Sequence, residues 1–292
     1  MARRIGIIGL GKMGRACATN LMADGCEVWA LRRPSTLDFE SQGGHLAGSV
    51  AELVLKVDVV ITLLATEAQM RETYSGAGGV IANARPGLAV LDMGTFPLAL
   101  KRSLADALEA KGAVMLDCPI SGVPNHILQR TALVFASGDA AAISGVQDVI
   151  DSIGPKSVPV GEFGAGIATK LVANLLVIVN SMAVAEALVL GNGSGLSSEL
   201  IMKAVGPSAG GSRVLDYRGP LMVQRVYRPA MGTAGIILKD LKYIREHARS
   251  IGAATPLVET ALVWFQRMID EGRGEDECAA IYETLLGASG GA

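Results

Sequence analysis

Several things are scarce in this chain of 292 residues, and each scarcity closes off a class of function. Cysteine is limited to four, at positions 17, 26, 118 and 278, and there are only three histidines. With no C-x-x-C pair and no histidines at ligand spacing, neither a disulfide framework nor a zinc site is suggested, and the thiols read as reduced, in a cytoplasmic setting. Aromatic residues make up 4%, which leans away from an all-β sandwich. Positive charge has no excess: 26 Lys and Arg stand against 28 Asp and Glu, scattered along the chain, so there is no basic field for nucleic acid. The opening MARRIGIIGLG breaks into glycines where an export signal needs a continuous apolar run. Residues 171–191 come closest to a membrane span, but Asn174, Asn180, Ser181 and Glu186 interrupt them. A charge at mid-bilayer costs about 3 kcal/mol, so the expectation is a long buried helix and no membrane partner. Neither an internal repeat nor a low-complexity linker is visible.

What is plentiful is aliphatic residue and glycine: half the chain is apolar and 36 residues are Gly. The length suggests two domains. Short β-branched runs (RIGIIGL, EVWALR, VDVVITLL, LAVLDM, AVMLDC, TALVFASG) alternate with helical patterns, which predicts parallel βαβ units. The fold class is therefore α/β, a doubly wound parallel sheet of the Rossmann type over residues 1–163. After Gly166 the strand patterns stop, and helices are predicted at 167–191, 197–205, 213–224, 234–251 and 256–271. Residues 164–292 thus form an all-helical domain, entered by one long interdomain helix.

The segment IGIIGLGKMG places Gly9, Leu10, Gly11, Lys12, Met13 and Gly14 as G-x-G-x-x-G between a strand and a helix. The first glycine permits the tight turn, the second lets backbone approach a pyrophosphate, and the third lets helix pack on strand. A dinucleotide is the implied ligand. At the end of the next strand an NAD site needs an acidic side chain for the ribose 2′-hydroxyl, yet Arg32 and Arg33 stand there. Paired guanidinium groups suit a 2′-phosphate, so NADP(H) is favoured, with NAD(H) and two merely solvated arginines left open.

In GEFGAGIATKLVANLLV, Lys170 and Asn174 lie four residues apart on one helical face. A lysine in an apolar helix calls for a reason, either acid/base chemistry or an aliphatic stem snorkelling to solvent.

Four blocks (GIIGLGKMG, DCPISG at 117–122, GAGIATKLVAN at 164–174 and KDL at 239–241) together resemble the β-hydroxyacid dehydrogenase family over nearly the whole chain. The resemblance implies that Lys170 is the proton donor and acceptor, with Asn174 binding substrate beside it. It also implies that Ser121, Gly122 and Val123 receive the carboxylate of a small-molecule substrate. By the same pattern Leu64, Ala65, Thr66 and Thr95 contact the cofactor, and Lys239 closes on it from the helical domain. A homodimer or homotetramer joined through the helical domain is implied as well.

Val123, Pro124 and Asn125 replace the second glycine usual in the substrate loop, and Ala65 replaces a common proline, so the substrate's identity stays open. Two alternatives remain: an imine reductase, a class that shares the architecture but usually lacks the lysine, and a non-catalytic NADP-binding module. Ser212 and Arg213 are weaker cleft candidates.

Overall fold

The structure, a computed structural model, describes residues 2–290. It divides into two compact units, the first ending at Lys170 and the second starting at Leu171, inside the long helix.

In the first unit the strands are β1 (Arg4–Ile8), β2 (Glu27–Leu31), β3 (His45–Ala47), β4 (Val59–Thr62), β5 (Ala89–Asp92), β6 (Val114–Asp117), β7 (Ile120–Ser121), β8 (Leu133–Ser137) and β9 (Val158–Gly161). They form one sheet in the order β3-β2-β1-β4-β5-β6-β8-β7, with β9 beside β8. From β3 to β6 every pairing is parallel, and the order reverses between β1 and β4, the switch point at which such sheets bind ligands.

The helices of this unit are α1 (Lys12–Ala23), α2 (Val50–Lys56), α3 (Glu67–Ser75), α4 (Leu98–Glu109), α5 (Pro124–Leu128), α6 (Ala140–Gly145) and α7 (Gln147–Ile153). Alternation along the strands sends Ile5, Ile7, Val59, Ile61 and Leu91 into a cluster with α1, α5 and α7. It sends Ile8, Val60, Val90 and Met115 into a second cluster with α2, α3 and α4. Both sheet faces are covered, as a doubly wound fold requires.

Two departures from a wholly parallel sheet stand out. β8 runs antiparallel to β6, and β7 antiparallel to β8. A parallel return needs a crossover helix that spans the sheet. The helix between β6 and β8 is α5, with five residues and a rise of about 7.5 Å. It is too short to carry the chain back to the far edge, so the chain re-enters from the edge it left.

The second unit is helical. α8 (Ala165–Gly193) enters it, and α9 (Ser198–Val205), α10 (Arg213–Gln224), α11 (Ala234–Ser250), α12 (Pro256–Asp270) and α13 (Ile281–Ala288) follow. Ser197, Ser212 and Thr233 cap α9, α10 and α11 by accepting a first-turn N–H. Among the described residues the β-pairing in this unit is the single bridge Thr233–Glu277. A buried Arg218 donates to Glu277 at 3.2 Å and to Ser181 at 2.7 Å, tying α10 to α8.

α8 is the one described helix with the length and hydropathy of a membrane span, at mean hydropathy 1.9 over its most apolar window. The expectation of a buried helix is corrected in one respect. Only 33% of that window is buried, and Val172, Leu176 and Leu190 lie on an exposed face.

Candidate functional site

Ile8, Thr62, Asp92 and Asp117 are register partners across β1, β4, β5 and β6. The loops that follow these strands therefore leave from one edge of the sheet. They hold Gly9–Gly14, Leu64–Thr66 and Thr95, so the structure gathers those sequence candidates along that edge, and the 121–123 turn lies at the end of β7, a few residues beyond Asp117.

The glycines of the first turn have different reasons to be glycine. Gly9 has φ +108°, and a Cβ there would lie 2.2 Å from the Leu63 carbonyl oxygen. A Cβ on Gly14 would lie 2.2 Å from the Gly9 oxygen. Turn and packing account for these two. Gly11 is another matter: a Cβ there meets no protein atom within 4 Å. Gly11 also precedes α1 without a capping side chain, and the first turn of α1 carries no acid. A bare helix N-terminus beside open space fits a pyrophosphate held by backbone N–H groups and the helix dipole. Leu10 and Met13 pack on the core while Lys12 is exposed.

Arg32 and Arg33 follow β2 and are both exposed. Arg32 pairs with Glu40 at 3.0 Å, and Arg33 donates to the Arg32 carbonyl at 3.1 Å. Thr66 caps α3 by accepting from the Gln69 N–H, and the Ala65 N–H donates to Gln69 Oε1 at 3.1 Å, so this loop is locally braced. Leu64 packs against the second core cluster, and Thr95 lies half-buried between β5 and α4. Ser121 ends β7 opposite Leu133, and the Val123 N–H reaches His126 Nδ1 at 3.4 Å.

Lys170 stands in the second turn of α8. Gly166, four residues earlier on the same face, abuts the sheet: a Cβ there would lie 2.5 Å from both the Asp117 and Phe135 carbonyl oxygens. Lys170 is thereby carried at the strand ends, on the edge that bears the glycine turn. In the helical unit, Asn174 donates to Asp240 Oδ2 at 2.8 Å. Lys239 lies 3.2 Å from Asp240 Oδ1 and 5.4 Å from the Tyr243 ring centre. Ser212 is occupied as the cap of α10.

A buried ionic cluster beneath this edge escaped the sequence reading. Lys101 of α4 lies 2.8 Å from Asp92 and 2.5 Å from Asp117, and all three side chains are fully buried. Burial disfavours the Lys101 ammonium, but the two carboxylates outweigh it and hold the group above the ordinary lysine range. Thr62 gives its only proton to Asp92 at 2.8 Å, which leaves Tyr74 to donate to Thr62 at 2.9 Å. Burial, foremost, and the nearby Asp92 raise the Tyr74 phenol well above its usual value. The available signal was an acid closing two apolar strand patterns, AVLD and VMLD.

A family model for the NAD binding domain of 6-phosphogluconate dehydrogenase matches residues 4–161, and one for the NAD-binding region of NADP-dependent 3-hydroxyisobutyrate dehydrogenase matches residues 164–285. An L-threonate dehydrogenase from Cupriavidus necator is 33% identical over 290 residues, covering 98% of this chain and 97% of its own. The chain belongs to the β-hydroxyacid dehydrogenase family. A crystal structure of 3-hydroxyisobutyrate dehydrogenase from Salmonella typhimurium superposes with TM-score 0.86 at 29% identity, over 96% of this chain and 99% of that one. An imine reductase variant from Myxococcus stipitatus reaches TM-score 0.67 at 17% identity, over 98% and 100%, a likeness of fold alone. As a β-hydroxyacid dehydrogenase, the protein is an NAD(P)-dependent oxidoreductase acting on the CH–OH group of hydroxy acids.

Proposed function

We propose that this β-hydroxyacid dehydrogenase interconverts a short β-hydroxy acid and the matching semialdehyde or oxo acid, prefers NADP(H), and uses Lys170 as general acid and base. The observation that carries this reading is the seating of Lys170 at the sheet edge that bears the open glycine turn.

The bound nicotinamide supplies the hydride chemistry. The chain's own residues bind, orient and move a proton. The α1 N-terminus at Gly11 holds the pyrophosphate, and Arg32 and Arg33 meet the 2′-phosphate, Arg32 exchanging its exposed pairing with Glu40 for that dianion. Ser121 with the backbone of Gly122 and Val123 receives the substrate carboxylate, which fixes the carbinol carbon by orientation rather than by a covalent bond. Lys170 takes the hydroxyl proton on oxidation and returns it on reduction. On the family's pattern Asn174 is assigned to the substrate, and Leu64, Ala65, Thr66, Thr95 and Lys239 to the cofactor.

The remaining assignments are a cytoplasmic protein with neither nucleic-acid nor membrane partners, and a homodimer or homotetramer. The exposed apolar face of α8, with Val172, Leu176 and Leu190, supports burial against a second copy.

The test is a turnover panel. L-threonate and 3-hydroxyisobutyrate are offered for oxidation, and glyoxylate with succinic, tartronate and methylmalonate semialdehydes for reduction, each with both nicotinamide cofactors. Turnover of a hydroxy acid or semialdehyde acid with higher kcat/KM for the phosphorylated cofactor is expected. Preference for NAD(H) would overturn the reading of Arg32 and Arg33, and turnover confined to cyclic imines would overturn the substrate class.

A further inference from the structure

The first turn of a helix exposes N–H groups that the preceding residue's side chain ordinarily caps. Before α8 that residue is Gly164, which has no side chain to offer. The caps come instead from two distant strands. The Gly166 N–H donates to Ser137 Oγ of β8 at 2.9 Å, and the Ile167 N–H donates to Asp117 Oδ2 of β6 at 2.7 Å. Ser137 passes its own proton to Asp117, whose backbone oxygen lies at 3.0 Å and whose Oδ2 lies at 3.3 Å. The other carboxylate oxygen of Asp117 is held by Lys101.

We infer that Asp117, locked by Lys101 and assisted by Ser137, is a positioning residue for the reaction: it clamps the first turn of α8 and so fixes where Lys170 is presented. The geometry makes the clamp rigid. Ser137, Asp117 and Lys101 are fully buried, Asp117 is engaged through both oxygens, and Gly166 rests on the strand carbonyls with no room for a Cβ. Lys170 follows Ile167 by three residues, less than one turn, so a slackened first turn moves the ammonium directly. Displacement of a reacting group by about 1 Å costs on the order of 100-fold in rate. The helix N-terminus is also the positive end of its dipole, so Asp117 satisfies both the Ile167 N–H and the field, while Lys101 holds its other oxygen.

This inference rests on Lys170 carrying the proton. The experiment uses the full-length chain with saturating cofactor and whichever of L-threonate and 3-hydroxyisobutyrate is turned over better. Asp117→Asn keeps an acceptor for Ile167 but removes the charge that Lys101 holds. Ser137→Ala is the gentler variant should the first fail to fold, and Ser137→Thr restores the hydroxyl. We expect kcat to fall roughly 10- to 100-fold in Asp117→Asn and at least about fivefold in Ser137→Ala, with cofactor dissociation constant and substrate KM within about twofold of wild type. Ser137→Thr should recover most of the Ser137→Ala loss. In the Lys170→Ala background the same substitutions should lower the residual rate by less than about threefold, because the clamp then has nothing to position. Losses confined to KM or thermal stability, unchanged kcat in Ser137→Ala, or fully additive losses with Lys170→Ala would overturn the clamp while leaving Lys170's role intact. Near wild-type turnover in Lys170→Ala itself would remove the acid/base reading instead.

Discussion

Asp92 and Asp117, register partners at the ends of β5 and β6, share one ammonium: Lys101 reaches both at 2.8 and 2.5 Å with no exposure to solvent. Removing one member of a buried ionic group leaves the others unbalanced and typically costs about 3–5 kcal/mol. Lys101→Met should therefore lower the thermal midpoint by roughly 10 °C in a unit of this size, measured by circular dichroism or calorimetry. A shift of a degree or two would mean that the cluster is not the ionic lock described here.

The glycine turn offers a way to separate fold from ligand. Gly9→Ala and Gly14→Ala force a Cβ to 2.2 Å from backbone oxygens and should destabilise the protein. Gly11→Ala meets empty space, so thermal stability should stay within about 0.5 kcal/mol of wild type while cofactor affinity falls by tenfold or more. Equal losses of stability at all three positions would count against a pyrophosphate beside Gly11.

Arg32 and Arg33 set a selectivity test. A charge-assisted hydrogen bond contributes about 1.5–3 kcal/mol, so Arg32→Ala with Arg33→Ala should raise the KM for NADP at least tenfold and leave that for NAD nearly unchanged. Parallel changes with both cofactors would show that neither arginine meets the 2′-phosphate.

Acid stability has a local contributor at Asp24. Arg130 donates to both of its oxygens, at 2.7 and 3.0 Å, and Ser152 adds a third bond at 2.6 Å. The Arg130 bond, foremost, and the Ser152 bond hold the Asp24 carboxyl below its usual range. A depressed carboxyl contributes stability that is complete above its unfolded value, about 3.9, and lost as pH falls through the folded value. Asp24→Asn should therefore flatten the decline of thermal midpoint between about pH 5 and pH 3. An unchanged slope would place the acid sensitivity elsewhere.

How much was legible follows from the range of the interactions. Periodicity and turn residues are local, and they gave six of the strands, the doubly wound class and helices α8 to α12 almost to their ends. β3 and β7, with three and two residues, are too short to show alternation, and β9 is a four-residue strand carrying Pro159 and largely exposed. The reversed direction of β8 depended on the length of α5, which no periodicity reports. At the site, the glycine turn and the Lys170–Asn174 spacing are local and were read directly. The caps on Gly166 and Ile167 come from partners 29 and 50 residues away, and Lys101 meets Asp117 across 16, so they emerge only once the sheet is assembled. Gly164 and Gly166 were visible as a motif, but their reasons belong to tertiary structure: Gly164 has φ +100° and lies against Leu98 of α4, and Gly166 seats α8 on the strand carbonyls.

The most direct test of the central claim is Lys170→Ala, with kcat and the NADP(H) dissociation constant measured side by side on the best substrate of the panel. General acid/base catalysis contributes about 100- to 10,000-fold, so kcat should fall within that range while cofactor affinity stays within about twofold of wild type. Near wild-type turnover with intact cofactor binding would contradict the account.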